Sequence, residues 1–311
     1  MNAWGRLFEL GRRQEGVVAV RQVADVGLSP EALRGRARRE AWRRPHRGVY
    51  VLPGVAVTWE VRAWAALLAV GDHATLTGES ALYVLGVSRN PPVRIHLVVR
   101  AGRRAPRLDG VRVTRSRTLT PADRRSLDGI WVATPERALL DAAARLGRAR
   151  LRVLLIDARQ RRVVMVGEVA RRALATRRTP GRGRLLVACA DVDGSAADSA
   201  LVAEVERRLR DEEGIDLDVP PRIVTAPWRD LHPDLTVAGL PVAVEVDGFG
   251  FHAGRVELDL DQRKHNAYQL AGWTVLRVSW TRLEEDWAGF VAELKAAIAA
   301  AAAAAAAVGS P

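Results

Sequence analysis

The spacing of apolar and polar positions over the first 53 residues predicts three short helices followed by a β-hairpin. Apolar periodicity indicates helices at residues 3–13 and 17–25, and Gly27 after the second can adopt the left-handed conformation of a helix C-cap. A third helix begins after Ser29, which is a typical N-cap, with Pro30 at the first helical position. Two short strand-like runs around a basic turn follow. Three helices and a basic hairpin are the outline of a winged helix-turn-helix.

The predicted third helix and hairpin carry arginines where a winged helix contacts DNA. Leu33 and Ala37 are four residues apart and face inward, so the neighbouring arginines lie on the outer faces of the helix. In this fold the third helix enters the major groove and the wing contacts the backbone. The residues predicted to bind DNA are Arg34, Arg38, Arg43, Arg44 and Arg47. The alternative is that the arginines of the helix only form a solvated face.

The rest of the chain divides by pattern and composition. After the winged helix at residues 1–54, helical and strand-like runs over 55–190 predict a second, α/β region that ends in a helical bridge. A change of composition near 191–194 marks the start of a third region, 191–295. The remainder, 296–311, is an alanine-rich tail with high helix propensity. No leader peptide and no convincing membrane span are evident, so we expect a cytoplasmic protein without a membrane partner.

Charge is distributed unevenly along the chain. The net charge is +12, but residues 1–190 hold 37 basic and 15 acidic side chains, whereas residues 191–311 hold 11 basic and 21 acidic ones. A basic region attracts polyanions such as nucleic acid, and an acidic region repels them or binds cations. The two parts of the chain are therefore expected to do different things.

A valine-rich strand in the acidic half carries carboxylates. Alternation along the strand places its valines on one face and both Glu245 and Asp247 on the other. If residues 238–239 form a two-residue hairpin loop, Asp234 on the preceding strand lies opposite Ala243. Asp234 is then one diagonal step from Glu245, which is close enough for two carboxylates to converge on one ion.

Crowded carboxylates on an apolar strand pair repel each other unless a cation or a shared proton compensates them. Oxygen ligands suit Mg²⁺ or Mn²⁺, so Asp234 and Glu245 are the predicted metal ligands. His252 follows the strand closely and is a candidate general acid or base. On the upstream helix, Asp198 or Glu204 is placed to face the same cluster. The alternative is an edge strand whose acids face water.

Two family resemblances follow from these motifs. The segment that runs from Gly16-Val17-Val18 through Gly27-Leu28-Ser29 to Arg47-Gly48-Val49-Tyr50 resembles the winged-helix domain of AbiEi-type antitoxins. Weaker similarity continues through residues 55–145. This resemblance implies a DNA-binding, transcription-repressing role in a type IV toxin–antitoxin system, with a cognate toxin as partner.

Residues 191–292 resemble the very-short-patch-repair-like endonucleases of the PD-(D/E)xK superfamily. The matching positions are Pro233-Asp234, Glu245-Val246-Asp247-Gly248, His252, Asp261 with Arg263, and residues 272–277. The resemblance implies an α/β, restriction-endonuclease-like mixed sheet flanked by helices, with Asp234 and Glu245 as metal ligands. It implies catalytic roles for Asp247, at the position of the superfamily lysine, and for His252. It also places Asp198 where relatives often have glutamate.

Two hypotheses of different classes result. The first is a nucleic-acid-binding protein whose C-terminal domain is a metal-dependent endonuclease that hydrolyses DNA phosphodiesters, in phage defence or DNA repair. The second is a non-enzymatic transcriptional repressor or antitoxin with a degenerate nuclease domain. RNA is the weaker alternative to DNA as the target.

Overall fold

The computed structural model describes residues 2–221, 223, 231–248 and 255–308. The chain divides into two compact units. One unit comprises Met1–Val164 with Thr179–Gly181, and the other comprises Met165–Arg178 with Arg182–Pro311. Each is described separately below.

The first unit begins with a small helical domain that carries a three-stranded antiparallel sheet of order β1-β3-β2. In chain order its elements are α1 (Ala3–Arg12), β1 (Val17–Ala19), short 3-10 helices at Val20–Gln22 and Ala24–Val26, α2 (Pro30–Arg39), β2 (Arg43–His46) and β3 (Val49–Val51). Leu7, Val23, Leu33 and Trp42 belong to its core. This α+β arrangement is consistent with a winged helix.

The helix predicted at residues 17–25 is wrong in its first part. Residues Val17–Ala19 form β1 instead, and all three are buried. They pair with β3, from Val17 opposite Val51 to Ala19 opposite Val49. Three successive apolar residues that are all buried fit a strand covered on both faces, so this tertiary pairing prevails over the helical periodicity. The predicted end at Gly27 is confirmed, with φ at +78°.

The remainder of the first unit is built around a five-stranded mixed sheet of order β6-β5-β4-β8-β7. Its elements are α3 (Trp59–Val70), β4 (Thr75–Leu76), α4 (Gly78–Val84), β5 (Ile95–Arg100), β6 (Val111–Ser116), β7 (Arg124–Leu127), β8 (Ile130–Ala133), α5 (Pro135–Ala143) and α6 (Arg148–Gln160). The central strand β4 pairs antiparallel with β5 and parallel with β8. The helical and strand-like runs predicted over residues 55–190 thus include a helix at Trp59–Val70 and a strand at Ile95–Arg100.

A buried charge network anchors α5 in this unit. The Arg137 side chain is 2% exposed, and its Nη2 lies 2.9 Å from Oδ1 of Asp141. The same guanidinium donates to Oγ of Ser116 at 2.9 Å and to Oγ1 of Thr118 at 3.1 Å. Asp141 also accepts from Oγ1 of Thr77 at 2.5 Å, which ties α5 to the start of α4. Because every member has partners, the charge can be held away from water.

The second unit combines helices with a four-stranded mixed sheet of order β12-β11-β10-β9. Its elements are α7 (Val166–Ala175), α8 (Arg182–Val192), α9 (Gly194–Arg207) with a π-helical turn at Arg208–Glu212, β9 (Leu217–Asp218), β10 (Leu235–Val237), β11 (Val242–Asp247), α10 (Arg255–Leu270), β12 (Thr274–Ser279), α11 (Trp280–Glu285) and α12 (Trp287–Val308). Strands β11 and β12 are parallel, joined through α10, whereas β10 is antiparallel to both of its neighbours. A mixed sheet with helices is present; the restriction-endonuclease fold itself stays a prediction.

The junction between α8 and α9 lies at the predicted change of composition. Asp193 is the N-cap of α9, and its Oδ1 accepts a hydrogen bond from the Ala196 amide at 3.2 Å. The chain's one cysteine, Cys189, is buried in α8. Burial raises the pKa of its thiol to about 12, so the thiol stays protonated and packs as a small core residue.

Helix α12 continues through the alanine-rich tail. Among the residues that the structure describes, one helical segment, Trp287–Ala307, is long enough and apolar enough to cross a membrane. Only 17% of the apolar window is buried in the protein. A single helix of this kind is weak evidence for a span, because helices of soluble proteins meet the same criteria.

Candidate DNA-binding surface and carboxylate cluster

Helix α2 is positioned by its cap and its inner face. The Ser29 hydroxyl oxygen accepts a hydrogen bond from the Ala32 amide at 3.1 Å, and Pro30 follows at the first helical position. Leu33 and Ala37 are buried in the winged-helix core. Arg34 and Arg38, four residues apart, therefore lie together on the exposed side of the helix.

Arg36 on the same helix has a different role. Its guanidinium stacks over the rings of Trp4 at 4.5 Å and Phe8 at 5.0 Å. It also donates to the Glu40 carboxylate at 2.8 Å. Hydrogen bonds from Trp42 and then Arg36 lower the pKa of Glu40. Arg36 thus joins α2 to α1 within the domain, whereas the predicted DNA-binding arginines face outward.

All five arginines predicted to bind DNA are exposed. Arg34 pairs with Glu31 on the outer face of α2 at 2.9 Å. Within the described part of the chain, the other four, Arg38, Arg43, Arg44 and Arg47, have no carboxylate within 4.0 Å. Gly48, with φ at +77°, provides the left-handed residue of the tight turn between β2 and β3. The wing therefore presents guanidinium groups that form no ion pair with the residues the structure describes.

Three of these arginines share a concave surface. Arg34 of α2 and Arg44 and Arg47 of the wing line one groove, together with Val20 and Tyr50. We call it the arginine groove. Arg38 and Arg43 are not among its lining residues. The predicted DNA-binding set thus comprises a groove and two further exposed positions on the helix and the wing.

The acidic strand pair of the second unit has a register that differs from the predicted one. Leu235 lies opposite Val244 and Thr236 opposite Ala243, so residues 238–241 form the connection instead of a two-residue loop. Gly239 has a positive φ of +69°, and Pro241 has no amide hydrogen for a ladder. The longer turn shifts the pairing by two residues. Asp234 immediately precedes β10, and extending the register by one residue would place it at the level of Glu245 instead of Ala243.

Glu245 is held by two residues that the sequence interpretation did not assign to the site. Its Oε2 accepts from Nζ of Lys264 at 2.6 Å, and its Oε1 accepts from the hydroxyl of Tyr268 at 2.7 Å. Oδ2 of Asp234 accepts from the backbone amide of Val246 at 2.8 Å. Lys264 and Tyr268 are four residues apart on α10 and so share one face of that helix. This spacing is the one sequence signal that could have connected them.

The electrostatics of the cluster follow from these contacts. Burial raises the pKa of Tyr268, and the hydrogen bond to Glu245 and the charges of Glu245 and Asp234 raise it further. Tyr268 is therefore protonated and donates its hydroxyl hydrogen to the carboxylate. The sequence predicts a bound cation or a shared proton that compensates the carboxylates. In the structure, Lys264 supplies a positive charge at Glu245. The acids are thus partly compensated within the protein itself.

Asp247 and Asp198 lie at the end of β11. Oδ1 of Asp247 accepts from Nη2 of Arg277 at 2.6 Å and from Nε at 3.1 Å. Asp198 reaches from α9 to the backbone of Gly248, where a Cβ atom would lie 2.2 Å from its Oδ1. A side chain at this position would push the Asp198 carboxylate away from the backbone. The structure therefore brings Asp198 to the same end of the sheet as the strand acids.

Glu204, the second candidate on α9, belongs to a different cluster. Its Oε1 accepts from Nε of the buried Arg208 at 2.8 Å, and Arg207 binds the same carboxylate at 3.0 Å. Burial raises the pKa of Glu204, but the hydrogen bonds from Arg207 and Arg208 outweigh it, and the pKa is lowered. Glu204 is fully engaged in holding the end of α9.

Some of the residues predicted to lie around the metal site are outside the described part of the chain. His252 lies outside the described residues, as does the side chain of Asp261. Among the residues that are described, no group of three or more histidine, cysteine or acidic side chains is arranged to hold a metal ion. Asp234 and Glu245 still fit the chemistry of Mg²⁺, which is commonly bound through one or two carboxylates. A cation at Glu245 would compete with Lys264 for the same carboxylate.

Comparison with known proteins supports the N-terminal part of this description. A family described as "Transcriptional regulator, AbiEi antitoxin" matches residues 6–53, which span most of the winged-helix domain. Among solved structures, the RV2827C protein from Mycobacterium tuberculosis is similar with a TM-score of 0.41 and 22% sequence identity. That similarity covers 65% of this chain and 80% of the other. No match was found among curated proteins. Residues 6–53 are therefore similar to the regulator domain of AbiEi antitoxins.

Proposed function

We propose that the protein is a DNA-binding transcriptional regulator of the AbiEi antitoxin type. The observation that carries the proposal is that the segment similar to that family, residues 6–53, coincides with a winged-helix domain bearing outward-facing arginines. Arginine pairs with phosphate in a bidentate geometry, and unneutralised arginines on one surface attract DNA. The family also implies a cognate toxin as a protein partner.

The proposed contacts divide by role. Helix α2 enters the major groove, where Arg38 on its exposed side reads base edges, whereas Arg34 lines the arginine groove. The wing, with Arg43, Arg44 and Arg47, contacts phosphates, which supply affinity and position but carry no sequence information. Replacing helix and wing residues should therefore have different consequences.

Capture of genomic fragments by the immobilised full-length protein tests this proposal. Wild type should enrich a small set of sequences. Arg38→Ala should change or abolish the set, whereas Arg43→Ala should reduce the amount captured without changing which sequences are enriched. Arg152→Ala, on the exposed face of α6, is the matched loss of one charge and should behave like wild type. Fragments no different from those on empty beads would contradict a regulator function.

A second candidate function, a metal-dependent endonuclease, has one specific observation in its favour. Asp234 and Asp198, which are distant in sequence, contact Val246 of β11 and Gly248 just after it, and Glu245 of the same strand contacts Lys264. In this proposal Asp234 and Glu245 hold Mg²⁺ or Mn²⁺, and Asp247, Asp198 and His252 assist. A bound cation would stabilise charge on a phosphodiester and lower the pKa of an attacking water. DNA is the proposed substrate, with RNA as the weaker alternative.

Cleavage of supercoiled plasmid by purified protein tests the nuclease proposal. Wild type should nick or linearise the plasmid only with Mg²⁺ or Mn²⁺, and Asp234→Ala should abolish cleavage. Asp216→Ala removes an exposed carboxylate of the same unit and should leave cleavage unchanged. Cleavage that persists undiminished in Asp234→Ala would point to a contaminating nuclease and contradict the proposal. If wild type cleaves neither DNA nor RNA, the nuclease proposal is contradicted and the regulator function is the proposal that remains.

A further inference from the structure

The arginine groove contains a fourth arginine from outside the winged helix. Arg104 lines the groove together with Arg34, Arg44 and Arg47. It belongs to residues 101–110, the connection between β5 and β6, well beyond the segment that matches the antitoxin regulator family. The sequence interpretation assigned no binding residue there. The groove is thus formed jointly by the winged helix and the adjoining α/β region of the first unit.

Hydrogen bonds within the α/β region hold the β5–β6 connection. Nε2 of His73 lies 3.2 Å from the carbonyl oxygen of Arg104. The carbonyl oxygen of Arg103 accepts from Nε of Arg115 at 3.3 Å. Burial lowers the pKa of His46 in the wing, and the charge of Asp109 in the connection opposes this effect. The connection is therefore fixed where Arg104 meets the groove.

The charges in the groove are not balanced from within. In the described part of the chain, Arg44, Arg47 and Arg104 have no carboxylate within 4.0 Å, and Arg34 pairs only with Glu31. Like charges around a concave surface repel each other and focus a positive potential into it. An anion in the groove relieves this repulsion. Planar guanidinium groups favour a phosphate, which they bind through paired hydrogen bonds.

We propose that the arginine groove binds a phosphate of the DNA backbone, and that Arg104 is a DNA-binding residue outside the recognised winged helix. The inference rests on the proposed DNA-binding function and extends its contact surface. The ligand is the phosphodiester, so the contact adds affinity without sequence preference. It also couples the α/β region to the DNA that the winged helix binds.

Salt dependence of DNA binding tests the role of Arg104 in the full-length protein. The probe is a short duplex of mixed sequence, and the dissociation constant is measured over a series of salt concentrations. Arg104→Ala should weaken binding and reduce the log–log slope by about 0.9, which corresponds to one lost phosphate contact. Arg104→Glu should weaken binding further. Arg103→Ala is the matched control, because Arg103 is the exposed neighbour outside the groove lining.

The outcomes separate this inference from the proposed function. A slope unchanged in Arg104→Ala, or reduced no more than in Arg103→Ala, would overturn the role of the groove. The regulator proposal would still stand in that case if Arg44→Ala and Arg38→Ala weaken binding. A wild-type protein that binds no duplex at low salt would overturn both. Melting temperatures should match between wild type and the Arg104 variants, because the side chain is exposed.

Discussion

The winged-helix surface and the carboxylate cluster of the second unit differ in how far their charged side chains are paired. On the winged helix, Arg44 and Arg47 face outward with no carboxylate within 4.0 Å in the described chain. In the cluster, Glu245 binds Lys264 at 2.6 Å and Asp247 binds Arg277 at 2.6 Å. Charges left unpaired at a surface are available to an external ligand. Charges already paired must exchange a partner before they can bind one.

This difference explains why the regulator proposal is stronger than the nuclease proposal. A DNA phosphate in the proposed arginine groove would break no ion pair of Arg44, Arg47 or Arg104 with the described residues. A cation that binds Glu245 must compete with an ammonium group of the protein itself. Replacing a paired charge should therefore change the free energy of unfolding, whereas replacing an unpaired charge should change DNA binding.

Arg137 should give the largest effect on stability. Arg137→Ala leaves Asp141 in the protein interior without its ionic partner, which typically costs about 3–5 kcal/mol. Arg38→Ala, which removes an exposed and unpaired guanidinium, should change stability by less than about 0.5 kcal/mol. Urea unfolding of both variants measures the difference. Equal destabilisation by the two substitutions would contradict the distinction between paired and unpaired charges.

His96 makes stability depend on acidity. Burial, and then the charges of Arg145, Arg112 and Arg94, lower the pKa of His96 from 6.5 to about 4. The unfolded chain therefore binds a proton more readily than the folded one between these values. The stabilisation from neutral His96 is complete above pH 6.5 and is lost as the pH falls towards 4, by about 3 kcal/mol in total.

The variant His96→Asn isolates that contribution. Its unfolding free energy, followed by urea titration at several pH values, should fall less than that of wild type on acidification from pH 7 to pH 4. Parallel curves for the two proteins would mean that His96 titrates normally and is not held neutral by its surroundings.

Metal binding should have a smaller effect on stability. If Asp234 and Glu245 hold a cation, Mn²⁺ or Mg²⁺ at 100 times its dissociation constant should stabilise the protein by about 2.7 kcal/mol. Asp234→Asn should abolish the increment, and without metal it should be no less stable than wild type, because one crowded carboxylate is neutralised. Thermal melting with and without metal measures both. A melting temperature of wild type that does not change in millimolar metal would contradict the metal site and support a cluster whose acids are held by Lys264, Tyr268 and Arg277.

Local signals predicted the winged helix better than the cluster. Ser29, Pro30 and the inner positions Leu33 and Ala37 determine helix α2 from within ten residues, so the sequence pattern was sufficient. Local periodicity predicts a helix at strand β1 because the burial of this strand depends on partner residues 30 to 34 positions away. Local periodicity does not contain that pairing.

The contacts within the carboxylate cluster depend on tertiary geometry that local sequence patterns do not contain. A connection of four residues in place of two shifts the pairing of β10 with β11 by two residues, so that Thr236 instead of Asp234 lies opposite Ala243. Lys264 reaches Glu245 from α10, 19 residues further along the chain. Alternation identified the acids that share a strand face, but it could not identify the cation that neutralises them. The roles predicted for His252, Asp198 and Asp247 stay predictions.

The most direct test of the central claim is the salt dependence of duplex binding by wild type and by a variant with Arg34, Arg38, Arg43 and Arg44 all replaced by alanine. Each phosphate contact contributes about 0.9 to the log–log slope. Wild type should show a steep slope, and the fourfold variant should bind weakly with a clearly flatter one. Identical affinity and slope in the two proteins would show that the winged helix is not the DNA-binding surface.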